Sequence, residues 1–210
     1  MNKKGILMII SGFSGAGKGT VVKEMLQRYE NYALSVSATT RQPREGEAEG
    51  VSYFFKSQEA FEQMIAEDRF IEYAKYVDNY YGTPRDYVEQ QLSLGKDVIL
   101  EIELQGALNV RKMNPDAVLI FVAPPTAREL ERRLVGRGTE DITVIAKRMS
   151  RAYEESGYME EYDYIVINEE ASQCAEEIHD IVQAEHARSS RNHEFIHRIE
   201  EQLKDYSKGE

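Results

Sequence analysis

At 210 residues the chain is long enough for one well-packed domain and too short for two full-sized cores. Its 37 acidic against 26 basic residues give a formal net charge of -11, so the surface repels polyanions and a nucleic-acid scaffold is excluded as an expectation. Cys174 is the only cysteine, which rules out an internal disulfide and suits a reducing, cytoplasmic setting, and no apolar run approaches the roughly 18 to 20 residues of a membrane span.

Lys3 and Lys4 precede an apolar run too brief for the core of a signal peptide. Gly5 to Ser11 reads as a buried strand, 12–20 as a glycine-rich loop, and VVKEMLQRY at 21–29 as a helix with apolar residues at helical spacing. Residues 35–82 alternate apolar and polar positions, with several tyrosines and the turn-rich PREGEAEG, and predict a small inserted β-containing subdomain. Helical patterns follow at about 84–94, 126–135, 141–155 and 172–188, alternating with apolar strand-like runs at 98–104, 117–122 and 164–168. That alternation predicts an α/β fold with a mostly parallel sheet covered on both faces. The expected organisation is one domain over 1–188, with a core at about 1–34 and 84–188 and an insertion at about 35–83. A charged tail, 189–210, carries Phe195, Ile196, Ile199 and Leu203 at spacings that predict a terminal helix.

The loop Gly12-Phe13-Ser14-Gly15-Ala16-Gly17-Lys18-Gly19-Thr20 has the G-x-x-x-x-G-K spacing between a strand and a helix. Glycines let successive backbone N–H groups point inward, the helix N-terminus adds partial positive charge, and Lys18 reaches the β and γ phosphates of a nucleotide. The hydroxyl residue that ordinarily follows the lysine is replaced by Gly19, with Thr20 one position on. Magnesium is therefore expected to use Thr20, or to rest on phosphates, waters and a carboxylate elsewhere, for which Glu101 after Val98-Ile99-Leu100 is the candidate. No N-K-x-D guanine-reading segment occurs, which argues against a GTP-hydrolysing switch.

The segments SVSATTRQPREGE at 35–47, GVSYFF at 50–55, FIEY at 70–73, NYYGT at 79–83, EIELQG at 101–106 and GRGTE at 136–140 resemble guanylate kinases, in family order from about residue 5 to 186. The resemblance implies a P-loop kinase that transfers phosphate from ATP with Mg2+ to GMP, and to dGMP, as a cytoplasmic monomer or homodimer. It implies that Arg41, Arg44, Tyr53 and Tyr81 hold the GMP phosphate, and that Glu72, with Ser37, Thr83 and Glu103, surrounds the base. Two arginines three apart suit forked bonds to one phosphate, and a carboxylate matches the N1–H and exocyclic amine of guanine, a donor pair that adenine lacks.

The resemblance further implies a lid at about 133–155 whose Arg133, Arg137 and Arg148 close over ATP, and it sets Asn168 near the adenine. Lys18, Arg41, Arg137 and Arg148 are the implied catalytic cations. The acceptor is already a phosphate anion, so no catalytic base is required. Phe13 departs from a family proline, and Glu101 and Glu103 from family aspartates, which leaves open which of the two serves magnesium. His193 and His197 have the i, i+4 spacing of a metal pair but read as a solvated helix face. The alternatives are a kinase for another nucleoside monophosphate and a non-catalytic protein-binding relative.

Overall fold

The computed structural model describes residues 4–44, 46–76, 78–136 and 141–207. Its strands are β1 (Leu7–Gly12), β2 (Tyr32–Leu34), β3 (Ala38–Thr39), β4 (Phe54–Phe55), β5 (Phe70–Tyr76), β6 (Asn79–Pro84), β7 (Asp97–Glu101), β8 (Val118–Ala123) and β9 (Tyr164–Ile167). Its helices are α1 (Lys18–Arg28), α2 (Gln58–Ala66), α3 (Arg85–Ser93), α4 (Leu104–Met113), α5 (Ala127–Val135), α6 (Ile142–Ser156), α7 (Ala171–Ala187) and α8 (His193–Ser207).

Five strands form a parallel sheet in the order β2-β7-β1-β8-β9. β1 and β8 are buried along their whole length, which is why LMIISG and VLIFVA are apolar without alternation: helices cover both faces of a parallel sheet. Met8, Ile9, Ile10, Ile99, Leu119 and Ile120 form the centre of the core. Because the strands are parallel, Gly12, Glu101, Ala123 and Ile167 all end on one side, the edge at which open α/β sheets hold ligands.

A second sheet, ordered β4-β3-β6-β5, is built from the inserted segment and has its own apolar cluster of Ala38, Phe61 and Phe70. The Phe61 ring stacks on Phe70 at 4.3 Å and on Tyr80 at 5.3 Å, which fixes α2 against this sheet. Ser57 caps α2 by accepting the Ala60 N–H.

The structure corrects three readings. The expected strand at 98–104 stops at Glu101: Glu103 takes the N-cap of α4, a helix that was not expected and whose Ala107 and Val110 are buried one turn apart. β2 and α2 were also not expected. The first helix begins at Lys18, three residues early, because Gly17 with φ 92° already forms its N-cap. The tail forms α8, and no described helix is long and apolar enough to cross a membrane.

Candidate active site

Gly12, Gly15 and Gly17 of the loop between β1 and α1 all have positive φ, and a Cβ on any of them would come within 3.0 Å of a neighbour. A Cβ on Gly12 would stand 2.0 Å from the Val122 carbonyl oxygen, and one on Gly17 would stand 2.6 Å from Asn168 Nδ2 at a left-handed φ of 92°. Phe13 is buried, its ring meeting Phe121 edge-on at 4.9 Å, so this residue anchors the loop to β8. The Lys18 ammonium folds back over the loop and donates to the carbonyls of Gly12 at 2.7 Å and Phe13 at 3.1 Å.

Three elements distant in sequence hold the same loop. Asn168, 4% exposed, donates its amide to the Ala16 carbonyl at 2.8 Å. Arg133 on α5 donates to Ala16 O at 3.2 Å, to Asn168 O at 2.8 Å and to Glu129 at 2.7 Å. Glu129 is held in turn by Arg132 and Arg133, whose hydrogen bonds pull its carboxyl down to about 2. Arg148 on α6 donates to the Ser14 hydroxyl at 3.2 Å. Arg137 lies outside the described residues.

Beside the loop, a Cβ on Gly19 would stand 3.6 Å from Glu101 Oε1, so Glu101 at the end of β7 borders the start of α1. Glu101 is exposed at the strand end, yet crowding by neighbouring atoms pushes its carboxyl up, with the Lys18 charge opposing and Glu103 adding to the rise. Thr20 is exposed in the first turn of α1. Glu103 is also exposed and pairs with Arg151 of α6 at 3.2 Å.

The second sheet carries the other predicted residues. Glu72 on β5 and Thr83 on β6 are register partners, and the Thr83 hydroxyl donates to Glu72 Oε1 at 2.8 Å. Glu72 is 8% exposed, and burial pushes its carboxyl up, opposed by the hydrogen bonds from Thr83. Its Oε2 faces Gly106 of α4, where a Cβ would stand 3.4 Å away, so the core helix and the inserted sheet meet at this carboxylate. The Arg41 guanidinium lies 5.3 Å from the Tyr53 ring, and Tyr53 meets Tyr81 edge-on at 6.1 Å. Arg41 and Glu47 form an ion pair, which with the Arg44 N–H holds the Glu47 carboxyl below its ordinary range. The Arg44 side chain is exposed, and Ser37, between β2 and β3, is half-buried.

The family model described as guanylate kinase matches residues 4–185. The chain belongs to the guanylate kinase family. A guanylate kinase of Caldanaerobacter subterraneus subsp. tengcongensis is 48% identical over 202 residues, spanning 96% of this chain and 98% of that protein. One of Clostridioides difficile is 50% identical, spanning 92% of this chain and 95% of its own. The crystal structure of guanylate kinase from Anaplasma phagocytophilum aligns with a TM-score of 0.71 at 33% identity, covering 90% of each chain.

The residues singled out in the sequence fall into two clusters. Lys18 and its loop stand at the sheet edge, while the inserted segment carries the buried Glu72–Thr83 pair and the cluster of Arg41, Tyr53 and Tyr81. Sequence reasoning missed Glu47, Glu129 and Arg151. Glu47 lay inside the quoted 35–47 segment, but nothing in spacing alone says that an acid in an acidic turn holds a particular arginine.

Proposed function

We propose that the protein transfers the γ-phosphoryl group of ATP to GMP, giving ADP and GDP by in-line displacement. The observation that carries this reading is the buried Glu72–Thr83 pair. A carboxylate kept out of water with one oxygen already bonded is matched to the two donors on the guanine edge, and adenine would leave it unpaired. Ser37 and Glu103 complete the base site, while Arg41, Arg44, Tyr53 and Tyr81 hold the acceptor phosphate.

On the donor side, the N–H groups of 12–20 and Lys18 hold the ATP phosphates. Arg137 and Arg148, in a lid at about 133–155, bring further positive charge as two polyanions meet. Arg133 and Asn168 support this site by holding the loop backbone. Exclusion of water by the lid and the insertion at 35–83 keeps hydrolysis from competing.

The residues present fit magnesium: Glu101, which borders Gly19 at the start of α1, offers the hard oxygen atoms it prefers, and Thr20 lies one residue further on. Bound with ATP, the ion supplies charge neutralisation at the β and γ phosphates, and Glu101 would hold it through water. The reading extends to dGMP, because the assigned contacts read the base edge and the phosphate. It also includes a role in purine nucleotide recycling, a cytoplasmic setting, and a monomer or homodimer.

Steady-state kinetics of Arg44→Ala test the assignment. The KM for GMP should rise far more than that for ATP, and equal effects on both would contradict it.

A further inference from the structure

Glu47 lies six residues after Arg41, in the turn that carries both candidate phosphate-binding arginines. Its two carboxylate oxygens accept from Arg41 Nη2 at 2.8 and 3.0 Å, and Oε2 also accepts the Arg44 backbone N–H at 2.8 Å. The Glu47 N–H donates back to the Arg44 carbonyl at 3.1 Å, so side chain and backbone are both tied into the turn. Arg41 makes a further bond from Nη1 to the Gln42 carbonyl at 2.7 Å, and none of these bonds uses its Nε–H. The pair is sheltered: the side chains of Arg41 and Glu47 are 14% and 21% exposed.

We propose that Glu47 is a positioning residue for the acceptor phosphate, fixing the Arg41 guanidinium and the Arg44 backbone before the nucleotide arrives. The inference rests on the assignment of Arg41 to the GMP phosphate. An arginine that must be ordered on binding gives up rotamer freedom, whereas one already held against a carboxylate and an aromatic ring gives up little. The opposing effect is electrostatic, because the Glu47 charge weakens the field that Arg41 offers a dianion. A carboxylate serving only as a stand-in for phosphate would leave when the phosphate came. Glu47 is built into the turn through Oε2 and its own N–H, so its departure would break the turn that carries Arg44. Positioning therefore outweighs competition.

Glu47→Gln keeps the shape and one acceptor but loses the charge. The GMP dissociation constant from calorimetry and the KM values for GMP and ATP are measured for the wild type, Glu47→Gln, Arg41→Ala and the double variant, using kcat/KM for GMP where binding is too weak for heat. The expected result is GMP binding weaker by about tenfold, or about 1.4 kcal/mol, in Glu47→Gln. The ATP KM should stay within about twofold, and the loss should vanish in the Arg41→Ala background, as expected for a residue acting through Arg41. Unchanged or tighter GMP binding would overturn the proposal in favour of competition. The same loss in both backgrounds would overturn it in favour of a role in the fold of the turn alone. A wild type that binds no GMP would remove the functional reading and this inference with it, a result distinct from the other two.

Discussion

The side-chain amide of Asn168 donates to the Ala16 carbonyl at 2.8 Å, tying the residue after β9 to the middle of the phosphate loop 152 positions earlier. Arg133 reaches the same carbonyl and the Asn168 carbonyl as well, so loop, strand end and α5 share one hydrogen-bonded knot. The shape of the loop is thereby set by residues that need not touch a nucleotide.

Asn168→Ala should remove the shorter of the two bonds to Ala16. Urea denaturation should show a loss of about 0.5 to 1.5 kcal/mol, the net value of one hydrogen bond, because Arg133 still serves the Ala16 carbonyl. The KM for ATP should rise several-fold, with that for GMP little changed. Unaltered stability with a raised ATP KM would mean that Asn168 acts on the nucleotide and not on the loop.

Gly17→Ala should lose activity by about a hundredfold, the scale of a misplacement of about 1 Å in a catalytic group. The added Cβ would stand 2.6 Å from Asn168 Nδ2 on a backbone whose φ of 92° disfavours any side chain. That conformation alone costs about 1 to 2 kcal/mol, readable as a lowered melting temperature. An active, stable variant would show that the loop is less constrained than its contacts indicate.

Arg133→Lys should behave nearly as Arg133→Ala. The guanidinium serves Ala16, Asn168 and Glu129 from three different nitrogens, a fork that a single ammonium cannot reproduce. Rescue of ATP KM and thermal stability by lysine would show that only the positive charge matters.

Glu72→Gln separates binding from stability. Burial raises the folded-state pKa of Glu72 above its unfolded value, so the folded state binds the extra proton, and stability falls as pH rises from the unfolded carboxylate pKa through the folded one. The glutamine variant should lack that decline and be the more stable form near neutral pH, while its GMP KM rises because the amide presents a donor to guanine donors. Titration of the melting temperature with pH, beside the two KM values, checks both. A variant less stable at neutral pH would contradict the sign.

The phosphate loop was legible because its glycines and lysine stand at fixed spacing between an apolar strand and an amphipathic helix, and that order also announced the parallel sheet. α4 was not legible: ILEIELQ continues the apolar run of β7, and only Ala107 and Val110 carry a helical period into the core. β2 has three residues and takes its strand character from pairing with β7, a contact that local sequence does not encode. The bonds of Arg133 and Asn168 to the loop backbone and of Arg133 to Glu129 were not legible, because the resemblance gives a residue's role and not its hydrogen-bond partners. The partners of Arg41, Arg133 and Arg151 were hidden for a common reason. In a chain with 37 acidic residues, spacing cannot say which acid meets which arginine.

The most direct test measures ADP release and formation of the matching nucleoside diphosphate from ATP and magnesium with GMP, dGMP, AMP, UMP or CMP as acceptor, with Lys18→Met in parallel. The account predicts rapid phosphorylation of GMP and dGMP, little of the others, and loss of activity in the variant. Folded protein that binds GMP but phosphorylates none of these acceptors would contradict it.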